Sequence, residues 1–207
     1  MILGRTGKVY PRQVIERIVG GQMRLVPEDG VLYENAVRNL YAAFDIAEQY
    51  TNRIIVRSVV TFAFDGFEPV LDIPTAPVLR IESLSYYDAE DRLVKLGEAD
   101  YRLIAAEHHT SLELFASPSL SARRRHGRVL VEALCGYSDY RDTLSPKPED
   151  EGGIVLPGSI EAAVALRAGT LCEADGDAVI GRSVSALPVT VERLLNPYRM
   201  TPYGWKG

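Results

Sequence analysis

Residues 37–64 read VRNLYAAFDIAEQYTNRIIVRSVVTFAF, and the period of the apolar residues changes inside this stretch. Up to Tyr50 the apolar residues recur every three or four positions, which is typical of one face of a helix. The predicted apolar stripe comprises Val37, Leu40, Tyr41, Phe44, Ala47 and Tyr50. Over residues 54–64 the apolar residues alternate, which is typical of a strand. The stretch therefore predicts a helix over residues 29–52, capped by Asp29, followed directly by a long strand.

The pattern that follows residue 64 predicts a compact antiparallel β unit. Strand-like segments alternate with short polar turns, and Pro74 and Pro77 exclude a central strand between them. The further predicted strands are Val78–Tyr87, Arg92–Leu96, Tyr101–Ala105, Leu112–Phe115 and Arg128–Cys135. Together with residues 54–64 they make about five or six strands.

Two further helices are predicted near the C-terminal end, one capped by Ser159 and one ended by Asn196-Pro197. The predicted fold class is α+β, with a helical body of one long N-terminal helix plus two C-terminal helices, and an antiparallel β insertion. The predicted segments are an N-terminal arm (1–28), a helical body (29–53 and 157–197), the β insertion (54–137), an acidic mobile loop (138–156) and a C-terminal tail (198–207).

The composition is that of an ordinary globular protein. Of 207 residues, 46% are hydrophobic and 25% are charged, which argues against a disordered, collagen-like or disulfide-stapled chain. No apolar run approaches the ~18 residues of a membrane span, so no membrane association is predicted. Cys135 and Cys172 lie far apart, as in a reduced protein of intracellular origin.

The net charge of −5 is unevenly distributed. Residues 1–25 carry five basic side chains against one Glu, and residues 190–207 carry three against one, which leaves −11 on residues 26–189. An acidic body is a poor general binder of nucleic acid, because phosphate contacts require a positive face. The basic ends suit docking on acidic neighbours, and solubility alone is the simpler explanation.

Motifs for catalysis, metals and cofactors are incomplete. The segment Gly4–Val9 is two residues short of a phosphate-binding loop. Glu107-His108-His109 places adjacent imidazoles on opposite faces of an extended segment, so the two side chains rarely share a metal ion. Cys135 paired with His126 requires a chain reversal. We therefore predict no cofactor, no metal and no enzymatic activity, and a hydrolase built on His108, His109 or Cys135 is the least favoured function.

Two clusters are candidates for interaction. The basic cluster comprises Arg123, Arg124, Arg125 and Arg128, and it suits phosphates or an acidic partner, or is simply a solvated loop. The tail carries Tyr198, Arg199, Tyr203 and Trp205, which are residue types that dominate interface hot spots. Folding of the tail back onto its own domain is the alternative.

Several stretches, in order and spacing, resemble the head–tail connector (adaptor) proteins of long-tailed phages and related gene-transfer particles. They are Asn35-Ala36, Ala42-Ala43 and Tyr50-Thr51-Asn52-Arg53 in the first helix; Pro77–Leu84 and Tyr86-Tyr87-Asp88; Gly127, Val131-Glu132-Ala133 and Gly136-Tyr137; Leu156-Pro157, Ile160 and Ala162-Ala163; and Leu194–Arg199. Together these stretches span roughly residues 29–200.

The resemblance implies a structural virion protein of the neck, made in the host cytoplasm. It implies a ring of about twelve copies that docks to the portal protein above and to a stopper or tail-completion protein below, while genomic DNA passes without sequence-specific binding. The residues expected to contact the portal or a neighbouring subunit are Leu194, Leu195, Pro197, Tyr198, Arg199, Tyr203 and Trp205. The alternative function is a monomeric module that binds carbohydrate or a host protein through its β unit.

Overall fold

The computed structural model describes residues 1–105, 109–115, 117–137, 154–176 and 188–200. These residues separate into two compact units. The β unit contains the described parts of 1–9, 52–137 and 200–207, and the helical unit contains those of 10–51 and 138–199. Helices and antiparallel sheets occupy different segments, so the fold class is α+β, as the sequence predicts.

The helical unit contains four helices in its described part. They are α1 (Arg12–Ile15), which continues as a π-helical segment over Glu16–Gln22, then α2 (Val31–Thr51), α3 (Gly158–Gly176) and α4 (Val189–Leu195). Short 3-10 turns cover Pro27–Asp29 and Asn196–Tyr198. Asp29 does not cap α2 as predicted, because its carboxylate accepts the Val26 N–H at 2.7 Å and closes the preceding turn.

The apolar side of α2 packs against α3, and α3 packs against α4. The buried residues of this core are Ala36, Leu40, Ala43, Phe44 and Ala47 on α2, Ile160, Ala163, Val164 and Ala168 on α3, and Val191 and Leu195 on α4. Two aromatic residues of the predicted stripe lie at its edge and are covered locally. Tyr10 stacks on Tyr41 with ring centroids 4.0 Å apart, and the Tyr50 hydroxyl donates to Asn196 Oδ1 at 3.1 Å.

The β unit contains eight described strands. They are β1 (Ile2–Thr6), β2 (Ser58–Phe64), β3 (Val70–Ile73), β4 (Val78–Tyr87), β5 (Leu93–Lys95), β6 (Tyr101–Ala105), β7 (Thr110–Leu114) and β8 (Val129–Cys135). A five-stranded sheet has the order β1-β2-β8-β4-β5, and a three-stranded sheet has the order β3-β7-β6. All neighbouring strands are antiparallel.

Both sheets contribute to one core. Strand β8 lies at the centre of the larger sheet. In its pairing with β2, Cys135 of β8 lies opposite Ser58 and Val129 of β8 lies opposite Phe64. The buried side chains come from both sheets, and they include Val60, Phe62, Leu84 and Val131 from the larger sheet and Leu71, Ile73 and Leu112 from the smaller one. Alternation along the strands therefore points one face of each sheet inward.

Each of the predicted strands is present, and β1 and β3 are two additional strands beyond the five or six expected. Strand β3 has four residues between Pro69 and Pro74, and it lies at an edge, where flanking prolines are tolerated. The long strand predicted from residue 54 begins only at Ser58. Residues 54–56 are buried without pairing as a strand.

Strand β1 was also missed, since residues 1–28 were predicted as an arm. Its pairing with β2 is supported by the Arg5 side chain, which donates from Nε to Ser58 Oγ at 2.7 Å and from Nη2 to the Val56 carbonyl at 2.8 Å. These long-range bonds have no local sequence signal.

Among the described helices, none is both long enough and apolar enough to cross a bilayer.

Candidate interaction surfaces

The arginine-rich segment before β8 is attached to the β4–β5 hairpin. The Ser121 N–H donates to the Tyr87 carbonyl at 2.9 Å, and Ser121 is fully buried. The Arg123 N–H in turn donates to Ser121 Oγ at 3.2 Å. The segment thus starts from a fixed point on the sheet, and its arginines project from an ordered backbone.

Arg124 is bound within the β unit. Its Nε donates to Asp91 Oδ1 at 2.7 Å, and its guanidinium lies 3.5 Å from the centre of the Tyr87 ring. The hydrogen bond from Arg124 lowers the pKa of Asp91 below its ordinary value. Asp91 has a positive φ of 67°, so this contact also holds the hairpin turn in a left-handed conformation.

Asp65 organises the other end of the segment. Its carboxylate lies 2.9 Å from His126 Nδ1 and accepts the Gly127 N–H at 2.9 Å, and its backbone carbonyl accepts from Arg128 Nε. The His126 hydrogen bond, followed by that from Gly127, lowers the pKa of Asp65. Through their contacts with Asp65, His126 and Arg128 therefore connect the start of β8 to the end of β2.

The structure divides the predicted basic cluster into two pairs. Arg124 and Arg128 stabilise the β unit and are half-buried, whereas Arg123 and Arg125 are exposed. Only the exposed pair is available to a phosphate or an acidic partner without breaking an internal contact.

These carboxylates predict an acid-dependent loss of stability in the β unit. Asp65, Asp88 and Asp91 all have lowered pKa values, Asp88 through the backbone N–H and the side chain of Arg92. A carboxylate whose pKa is lower in the folded chain stabilises the fold fully at pH values above its pKa in the unfolded chain, about 3.9. This stabilisation is lost as the pH falls through the pKa of the folded chain. We expect the thermal midpoint to fall below about pH 4.

The Asp65→Asn and Asp91→Asn variants provide the comparison. Each is expected to have a lower thermal midpoint than the wild type at pH 6, and the difference should vanish near pH 2, where the wild-type carboxyl is also neutral. A difference that persists unchanged at pH 2 would mean that packing, and not ionisation, sets the contribution.

A groove of about 930 Å³ lies beside Asp65 in the β unit. Its walls include the acidic side chains of Glu68 and Asp72 and the apolar side chain of Leu71. Asp72 Oδ1 lies 3.4 Å from His109 Nε2. The carboxylates of Asp65 and Asp72 therefore already have partners within the unit.

The C-terminal segment folds back on the helical unit in its described part. Leu195 is 1% exposed, Ser159 Oγ donates to the Tyr198 hydroxyl oxygen at 2.8 Å, and the Arg199 guanidinium lies 5.4 Å from the centre of the Tyr50 ring. Apolar burial and two polar contacts thus hold residues 195–199 against α2 and α3.

The residues predicted to contact a partner differ in their exposure to solvent. Leu195 is a buried core residue of its own unit. Leu194 and Tyr198 are half-buried, and Pro197 and Arg199 are exposed. Tyr203 and Trp205 lie outside the described residues.

The candidate catalytic residues lack the required environment where they are described. Cys135 is fully buried, and burial raises the pKa of its thiol to about 12, so little thiolate forms near neutral pH. His126 is bound to Asp65 at the surface, and His108 lies outside the described residues. Within the described ranges, no three His, Cys, Asp or Glu side chains are grouped as metal ligands.

The contacts that join the N-terminal segment to the helices could not be predicted from the sequence. The Arg17 guanidinium forms a two-pronged bond with Glu161 at 2.8 and 2.7 Å, and the Tyr10 hydroxyl bonds Asp45 Oδ1 at 3.0 Å. The Arg17 and Glu161 positions are 144 residues apart, so no local pattern could link them.

Several solved structures are similar in fold to this chain. No family model and no curated protein matches the chain. A chain from the neck of an empty gene transfer agent particle, computed with C6 symmetry, has a TM-score of 0.68 at 18% identity over 96% of both chains. The chain is similar in fold to this neck protein.

Two further structures agree with this result. The neck of a native gene transfer agent particle, computed with C12 symmetry, contains a chain with a TM-score of 0.65 at 18% identity, covering 97% of this chain and 96% of that one. The virion of a native gene transfer agent particle gives 0.64 at 19% identity over 96% of both. The likeness to the neck chains therefore covers the whole fold and not one unit of it.

Proposed function

We propose that this chain is a structural component of the neck of a phage-like or gene transfer agent-like particle, a head–tail connector that forms a ring beneath the portal. The ring joins the capsid to the tail, and packaged DNA passes through it. The proposal rests on the fold that this chain shares with a neck chain over 96% of the length of each. The C6 and C12 symmetries of those necks support a ring of about twelve copies.

The charge distribution supports a DNA passage that does not bind DNA. At −5 for each chain, about twelve copies carry about −60. Strong phosphate contacts would slow a sliding duplex, whereas an acidic wall repels it over a distance of about 8 Å at physiological salt. The exposed Arg123 and Arg125 give the β unit one local site for an acidic neighbour.

The C-terminal segment is the proposed contact with the portal or a neighbouring copy. Pro197 and Arg199 are exposed and Leu194 and Tyr198 are half-buried, on a segment fixed to α2 and α3 by Ser159 and Tyr50. We include Tyr203 and Trp205 among the residues proposed to make this contact. A stopper or tail-completion protein is the proposed partner on the opposite side of the ring, and no enzymatic step is required.

Loss of the chain tests this function. Particles assembled without it are expected to be filled heads that lack tails or leak DNA, because the portal would have no surface for the tail. Electron microscopy of particles from cells with the gene removed, and with the gene restored, measures the fraction with tails.

A variant truncated after Asn196 is the second part of this experiment. It should also fail to restore tails. Its circular dichroism spectrum, compared with that of the full-length chain, distinguishes loss of the contact from loss of the fold. Normal tailed particles in the complete absence of the chain would contradict the proposed function.

A further inference from the structure

We propose that, in the free chain, the groove beside Asp65 holds residues 201–207 of the same chain. The apolar walls of the groove take the rings of Tyr203 and Trp205, and its carboxylates take the ammonium group of Lys206. This contact belongs to the chain before assembly. It rests on the proposed function only in that the same segment is afterwards released to the portal or to a neighbouring copy.

The groove opens between an edge of each sheet. Met1 borders β1, an edge strand of the larger sheet, and Leu71 and Asp72 lie on β3, an edge strand of the smaller sheet. Phe64, at the end of β2, adds a further apolar wall. The groove volume of about 930 Å³ lies within the range of about 300–1,000 Å³ that is typical of binding pockets, so the side chains of a short segment fill it.

The C-terminal segment approaches one end of this groove at Met200. The Met200 carbonyl accepts from Asn52 Nδ2 at 2.8 Å, and the Asn52 carbonyl accepts from the Thr75 hydroxyl at 3.1 Å. Thr75 directly follows Pro74, which lines the groove. Seven residues follow Met200, and an extended chain of seven residues spans up to about 24 Å. The segment 201–207 therefore has the length to enter the groove from the Pro74 side.

The direction of β3 relates the order of groups in the groove to the order of residues in the segment. Among the groove residues, Glu68 precedes β3 and Pro74 follows it. A segment that enters beside Pro74 and runs antiparallel to β3 places Tyr203 near the strand. It brings Lys206, near the end of the segment, toward Glu68.

Charge complementarity selects this segment. Residues 201–207 read TPYGWKG, with two aromatic rings, one cation and no acidic side chain. Three carboxylates line the groove, and those of Asp65 and Asp72 contact histidines, so the exposed Glu68 is the one available to Lys206. The segment 138–153 carries five acidic residues against two basic ones, and an acidic groove repels it.

Tryptophan fluorescence of the full-length chain tests the contact, because Trp205 is its one tryptophan. In the purified wild-type chain, acrylamide should quench Trp205 less than in the chain unfolded by denaturant. Glu68→Lys and Lys206→Glu should each lower the ratio of docked to free segment by about two- to fivefold, the range of a surface ion pair. The chain with both substitutions should recover the wild-type quenching. Glu98→Lys, at an exposed carboxylate of the same unit outside the groove, is the matched control and should leave the quenching unchanged.

A disulfide trap identifies which chain supplies the segment. A full-length chain with Glu68→Cys, Lys206→Cys and Cys172→Ser is expected to form a cross-link within one molecule under mild oxidation, detected by mass spectrometry. Cys135 is fully buried and does not compete. The matched chain with Glu98→Cys in place of Glu68→Cys should not form this cross-link. Equal cross-linking in both chains would contradict the groove as the binding site.

The outcomes separate this contact from the proposed function. If Trp205 is quenched in the wild-type chain as readily as in the unfolded chain, the groove contact is wrong. If the shielding of Trp205 or the cross-link appears only between molecules as the protein concentration rises, the segment occupies the groove of another copy and the contact within one chain is wrong. A shielded Trp205 in a chain that does not restore tails would support the groove contact and contradict the proposed function.

Discussion

Replacing Gly136 with alanine is expected to lower the free energy of unfolding of the β unit by about 3–5 kcal/mol. Gly136 follows β8, where its N–H donates to the Pro77 carbonyl at 3.0 Å. A Cβ at this position would lie 2.6 Å from Arg57 Cα and 2.8 Å from Arg57 N. The clash is with backbone atoms, so no side-chain rotation relieves it.

The conformation of Gly136 adds to this cost, because its φ of +115° is rarely adopted by residues with a side chain. Gly127→Ala is the matched control at the other end of β8. Its φ is +64°, and a Cβ there meets nothing closer than Ala63 Cβ at 3.8 Å, so a loss of about 1 kcal/mol is expected. Chemical denaturation with hydrogen exchange of the β8 amides measures both, and equal losses would contradict the role of the clash.

Truncating Phe62 to alanine is the second large effect, with an expected loss of about 3–5 kcal/mol. Phe62 is fully buried on β2, opposite Val131 of β8, within the core shared by both sheets. Its removal loses apolar burial and leaves a cavity that a core built from two sheets closes only in part.

Phe115→Ala makes the same chemical change at an exposed site of the same unit. Phe115 is 60% exposed, so its truncation should change the free energy of unfolding by less than about 0.5 kcal/mol. Denaturant titration followed by exchange of the β2 and β8 amides compares the two variants. A Phe62→Ala loss as small as that of Phe115→Ala would place the core elsewhere.

Several segments with a periodic apolar pattern could be predicted from the sequence. Val78–Tyr87, Tyr101–Ala105 and Val189–Leu195 have the predicted bounds. β1 and β3 could not be predicted, because the sequence Ile2–Thr6 does not alternate between apolar and polar residues and β3 lies between Pro69 and Pro74. Their formation depends on strands β2 and β7, which are distant in sequence.

The candidate surfaces could likewise be predicted only in part. The residue types of the basic cluster and of the tail were visible in the sequence, but the partners of each side chain were not. Arg124 and Arg125 are adjacent and chemically identical, yet one binds Asp91 and Tyr87 and the other is exposed. Leu194 and Leu195 differ likewise in burial, because only one of them faces the helical core.

The sequence by itself determined the α+β class, the helices and strands with long periodic patterns, and the acidic body with basic ends, because these properties depend on composition and on neighbours within a few residues. Only the tertiary structure decided that there are two sheets and that Leu195, Arg124 and Arg128 have internal roles. Those properties depend on contacts between residues up to 144 positions apart, such as Arg17 with Glu161, which no local period encodes.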